Sequence, residues 1–116
     1  MHNFKKLDIW VKSMNLVTEI YRITNSFPSH ERFGLTSQMQ RSAVSIPSNI
    51  AEGSAKSSNK DFSRFLEMSI GSSFELETQI ILATNLGYLD PENSITIQNK
   101  ISEIQKMIIG FKNKLD

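Results

Sequence analysis

Apolar residues recur along this chain at steps of three and four, and the phase of each run marks out a helix. Between Leu7 and Asn25, the residues Leu7, Trp10, Met14, Val17 and Tyr21 form one seam, the spacing of a buried helical face. A second seam, Ile9, Leu16, Ile20, Ile23 and, past the helix end, Phe27, runs along a neighbouring face. The first helix therefore offers more apolar surface than one helix-to-helix contact requires. Ser26-Phe27-Pro28-Ser29 breaks it.

The second helix is predicted over Leu35 to Glu52, with Gly53 as its C-terminal cap. Its seam Met39, Ala43, Ile46 and Ile50 steps through Pro47 without changing phase. An interior proline deletes one backbone hydrogen bond and presses on the carbonyl four residues back, a cost of about 3 kcal/mol, and it disfavours helical dihedrals at the residue before it. Unbroken phase nonetheless predicts one kinked helix rather than two. Beside the seam runs a polar stripe, Gln38, Ser42, Ser45, Asn49 and Glu52.

A third helix is predicted from Ser58 to about Asn85. Ser58-Asn59-Lys60-Asp61 resembles a capping box with Asp in place of Glu. The seam Phe62, Leu66, Ser69, Ser73, Leu76, Ile80 and Ala83 is bulky at both ends and small in the middle. Such a waist lets two backbones approach, and the bend at Pro47 is expected to fit it. Gly87 ends this helix. Asp90-Pro91-Glu92 opens the fourth with a capping Asp, a proline at the first helical position and an acid in the first turn. Ile97, Ile101, Ile104, Ile108, Phe111 and Leu115 then alternate four and three, a regularity of helical bundles. The fold class is thus all-α, an antiparallel up-and-down four-helix bundle with a proline-kinked second helix, in a single domain over residues 1–116.

Composition narrows the function without naming it. Formal net charge is +1, unlike that of a protein coated in basic residues. Residues 1–66 nevertheless hold nine Lys and Arg against five acids, while the rest hold four against seven. A basic face in the first half follows as an expectation. Its candidates for phosphate contact are Lys56, Lys60 and Arg64, stepping by four, with Lys5, Lys6 and Lys12. A solvated charged face is the other reading. Cysteine is absent, so disulfides and thiolate metal sites are excluded. No apolar run approaches the roughly 20 residues of a membrane span, and MHNFKKLDIW lacks a signal peptide's apolar segment. The expected location is the cytoplasm, with no membrane contact.

No constellation for catalysis emerges. Gly53-Ser54-Ala55-Lys56-Ser57 has Ala55 and Ile50 where a phosphate-binding loop needs glycines. Paired metals in bundles use Glu-x-x-His on facing helices, whereas His2 is terminal and His30 lies in a loop. No enzyme activity, metal or cofactor is expected. Gln38, Arg41, Ser45, Asn49 and Glu52 of the second helix, with Glu75 and Glu77 of the third, form a candidate polar network between helices or subunits. Solvated surface and ligand binding are the alternatives for the same residues.

Several runs together resemble the 23S rRNA intervening-sequence proteins: Phe27-Pro28 with Glu31, Gly34-Leu35-Thr36 with Gln38, Arg41-Ser42-Ala43, Ser45 to Gly53, Phe65-Leu66, Gly71-Ser72, Glu75-Leu76-Glu77 and Leu86-Gly87-Tyr88-Leu89. The opening Phe4-Lys5-Lys6-Leu7 fits as well, so the resemblance covers nearly the whole chain. It implies a four-helix bundle that assembles as a ring-like homopentamer without established enzymatic activity. A related branch, the accessory proteins of diversity-generating retroelements, associates with nucleic acid and a reverse transcriptase. The chain departs from that branch in its near-neutral charge. The expected partners are further copies of itself and RNA or an RNA-bound protein, with a self-assembling interaction module that binds no nucleic acid as the alternative.

Overall fold

The computed structural model describes residues 2–116 and contains four helices: α1 (Asp8–Thr24), α2 (Leu35–Ser54), α3 (Asn59–Asn85) and α4 (Pro91–Leu115). Short 3-10 turns at Phe4–Lys6 and Ser29–Glu31 precede α1 and α2. Each helix packs against the next, and α1 closes the ring against α4. Side-chain ties fix the antiparallel order. Ser42 and Ser45 of α2 meet Gln79 and Ser72 of α3 in reverse sequence, and Lys12 and Glu19 of α1 pair with Glu103 and Lys100 of α4. The bundle measures 43 × 24 × 20 Å.

The predicted seams of α2, α3 and α4 line the core. Met39, Ala43, Ile46 and Ile50 face Leu66, Leu76, Ile80, Ile101 and Ile108, all fully buried. In α1 the two seams exchange roles. Ile9, Leu16 and Ile20 enter the core, with Phe27 beyond the helix, whereas Trp10 and Val17 are half-buried and Met14 and Tyr21 exposed. One cylinder can turn only one face to the core, and Ser13 and Thr24 fit the Ile9–Ile20 face because their hydroxyls donate to carbonyls four residues back.

Caps behave as their chemistry predicts, with one exception. The Ser58 hydroxyl accepts from the Asp61 amide at 3.1 Å, and the Asp90 carboxylate accepts from the Asn93 amide at 3.1 Å. Gly87 has φ +80° and closes α3: its amide donates to the Thr84 carbonyl and that of Tyr88 to the Ala83 carbonyl. Gly53 is the exception. It lies inside α2, which runs on to Ser54, and a Cβ there would sit 2.7 Å from Phe65 Cβ and 2.9 Å from Phe62 Cδ1. Its role is close approach of α2 to α3 rather than capping.

Helix α2 continues through Pro47 as one element. The small waist of α3 meets it there, since the Ser69 hydroxyl donates to the Ile46 carbonyl at 2.9 Å and that of Ser72 to Ser45 Oγ at 2.9 Å. Pro47 itself lines the groove between α1 and α2, across from Trp10, Met14 and Val17. Among the described residues, no helix is long and apolar enough to cross a membrane.

Candidate interaction surfaces

Three features stand out from the scaffold: polar bridges inside it, a basic end and an apolar groove. The bridges use only part of the predicted network. Ser42 donates to Gln79 Oε1 at 2.7 Å. Asn49 donates to the Ser45 hydroxyl and carbonyl, both at 2.9 Å, and Ser72 completes that group across to α3. Glu77 accepts from Gln105 of α4 at 2.9 Å, a tie between α3 and α4 rather than α2 and α3. Gln38, Arg41, Glu52 and Glu75 are exposed instead. Arg41, Glu52 and Glu75 form no ion pair among the described residues. Gln79 belongs to the buried polar set but escaped the sequence reading, and Ser69, read there only as a small residue of the α3 seam, also donates a hydrogen bond to α2; the signal for Gln79 is a polar side chain on the α2 flank of α3. Every buried side-chain polar atom among the described residues has a hydrogen-bond partner, which is the condition for such a network to stabilise a bundle.

The basic residues separate into two groups. Lys12 is engaged with Glu103 across the α1–α4 seam, and this pairing holds the Glu103 carboxyl below its usual range. Lys5 and Lys6, by contrast, sit in the N-terminal turn, which packs against α1 and α2, and Lys6 shares a cleft with Lys114 of α4. The His2 amide donates to the Ser54 carbonyl at 3.1 Å, and the His2 ring packs on Phe62 and Phe111. That end of the bundle also carries Lys56, over the Phe65 ring at 4.9 Å, with Lys60 and Arg64 at the start of α3 and Lys112 and Lys114 at the end of α4. Of these, Lys112 is held by Glu67 and Asp116, which keeps its ammonium above the usual range. Lys114 joins the basic end only through the fold, because its half of the chain is acidic in sum.

Between α1 and α2, Trp10, Met14, Val17, Val44, Pro47 and Ala51 line an open groove of about 330 Å³. This is the α1 seam left out of the core. Among the described residues, no three His, Asp or Glu side chains converge.

The model of the 23S rRNA-intervening sequence proteins matches residues 5–110. The chain belongs to that family. A crystal structure of a protein of unknown function from the S23 ribosomal protein family of Bacteroides thetaiotaomicron is similar to this family member with a TM-score of 0.81 and 26% identity, over 90% of this chain and 97% of that one. No curated protein matches the chain.

Much of what carries the resemblance holds this family member's loops together. Glu31 Oε1 accepts from the Leu35 amide at 3.1 Å and so caps α2, while Glu31 Oε2 accepts from the Tyr88 hydroxyl at 2.9 Å. The amide of Leu35 and the Tyr88 hydroxyl together hold the Glu31 carboxyl below its usual range, and the Glu31 carboxylate raises Tyr88. Phe27 packs on the Tyr88 ring. Gly34 leaves the space for this: a Cβ there would lie 2.7 Å from Glu31 Oε1.

Proposed function

We propose that this protein is a nonenzymatic, self-assembling accessory protein that contacts RNA, or an RNA-bound protein, through the basic end of its bundle. The observation carrying this reading is the gathering of Lys5, Lys6, Lys60, Arg64 and Lys114 from three separate segments onto one end, none of them in an ion pair among the described residues. A cluster of lysine and arginine without base-reading groups suits phosphate, and binding of that kind releases counterions. Membership in a family described by an rRNA intervening sequence supports RNA as the source of that phosphate. Repeating a modest patch around an assembly multiplies its contacts without a strongly basic subunit. The resemblance implies five copies.

The test is affinity for single-stranded RNA at about 50 and 200 mM salt, for the native protein and a Lys56→Ala, Lys60→Ala, Arg64→Ala triple variant. Native binding should be sequence-tolerant and fall steeply with salt, and losing three contacts should reduce the slope by roughly two. Equal affinity of both proteins excludes this patch. A second reading, a self-assembling interaction module without nucleic acid, is favoured by the apolar groove; absence of RNA binding by either protein at low salt would select it.

A further inference from the structure

One anion is already seated at the basic end, and it belongs to the chain itself. Between the start of α3 and the end of α4 lies a cleft of about 480 Å³, lined among others by Lys60, Ser63, Arg64, Glu67, Lys112 and Asp116. The Asp116 carboxylate sits in a cradle there. The Ser63 hydroxyl donates to Oδ1 at 2.8 Å and the Lys112 ammonium to Oδ2 at 3.0 Å, so each oxygen has its own donor. Lys112 first, and then Ser63, hold the Asp116 carboxyl below its usual range.

The two sides of this contact differ in how firmly they are placed. Ser63 is 7% exposed and the Lys112 side chain 19%, so both donors are fixed by the bundle. Asp116 follows the last residue of α4 and its side chain is 50% exposed, and helix ends fray. The donors are permanent and their acceptor is replaceable. A hydroxyl and an ammonium that meet two oxygens of one charged group suit a phosphodiester as well as a carboxylate. Lys60 and Arg64 line the same cleft and form no ion pair among the described residues. A phosphate in the cradle therefore gains two further cations nearby.

We infer that Ser63 and Lys112 form a phosphate subsite for RNA, which the Asp116 carboxylate occupies until a backbone phosphate displaces it. This rests on the RNA reading above and deepens it, adding two ligands to the basic end and an internal competitor for them. A tethered carboxylate competes at high effective concentration, so the native chain binds RNA more weakly than its cations alone would allow.

The test is affinity for single-stranded RNA at about 50 and 200 mM salt, with helical circular dichroism confirming that each variant is folded. Asp116→Asn keeps the shape and removes the charge. Affinity at the lower salt should rise about threefold or more, and the salt slope should steepen by about one, the value of one further phosphate contact. Adding Lys112→Ala to Asp116→Asn should return both quantities to native values, and adding Ser63→Ala should remove part of the gain. Asp61→Asn measures the long-range effect of charge alone, because Asp61 is an acid of the first turn of α3 that bonds neither donor; its slope should stay native. If the native protein binds RNA and Asp116→Asn binds no better, or gains no more than Asp61→Asn, or keeps its gain without Lys112, the subsite is wrong while the RNA reading stands. Absence of binding by the native protein and by Asp116→Asn at low salt removes the RNA reading and the subsite with it.

Discussion

Single residues set the joints of this bundle, and two glycines show how. Gly53 lets α2 and α3 approach where a methyl would press on Phe62 and Phe65. Phe62 is 1% exposed and cannot move aside, so Gly53→Ala should cost about 1–3 kcal/mol, read as a lower midpoint in urea denaturation with an unchanged slope. At Gly34 the neighbour is the end of a flexible side chain, Glu31 Oε1, so Gly34→Ala should displace the cap rather than clash. The Glu31 carboxyl is depressed in the folded state, and the unfolded chain therefore takes up that proton first as pH falls. Its contribution is complete above the unfolded value near 4.5 and is lost as pH drops through the folded value. Melting temperature should accordingly fall less steeply below about pH 4.5 in Glu31→Gln than in the native protein. Superimposable profiles would show that the carboxylate does not stabilise the fold.

At the scale of helices, the α2–α3 contact depends on small polar residues aligned with the turn of α2 that contains Pro47. Ser69 is fully buried and donates to the Ile46 carbonyl. Ser69→Ala removes one neutral hydrogen bond and should cost about 1 kcal/mol, whereas Ser69→Val adds volume where the backbones meet and should cost more, about 1–3 kcal/mol. An opposite ranking in chemical denaturation would mean that the waist has room to spare. Pro47 belongs to a different surface, because it lines the groove between α1 and α2. Pro47→Ala restores a backbone donor but strips apolar surface from that groove, so it should leave the helical signal intact and weaken self-association in sedimentation equilibrium. A rise in both melting temperature and association would show the ring to be incidental.

Over the whole molecule, net charge of +1 conceals a division of labour among cations. Lys12 is tied to Glu103 on the side of the bundle, away from the end that gathers Lys6, Lys60 and Lys114. Lys12→Ala should therefore leave RNA affinity at 50 mM salt within about twofold of native, while Lys60→Ala with Arg64→Ala lowers it and its salt slope. Filter binding at two salt concentrations distinguishes them, and an equal loss in both variants would return Lys12 to the contact set.

Helix number, order and most boundaries were determined by the sequence alone. Apolar spacing of three and four, Asp90-Pro91, Ser58 and Gly87 are local signals, set by backbone geometry and by the hydrogen bonds that helix ends lack. The core seams of α2, α3 and α4 were legible for the same reason. Only the tertiary structure decided which of two α1 seams faces inward, since both have helical period and the choice depends on what α2 and α4 present to them. It alone showed Gly53 as a point of close approach, because a neighbour's distance is not written in local sequence. It brought Lys114 to the basic end and took Lys12 from it, because partners such as Glu103 lie far along the chain. Contacts of high sequence separation carry no periodic signature, so both candidate surfaces became visible only in the folded bundle.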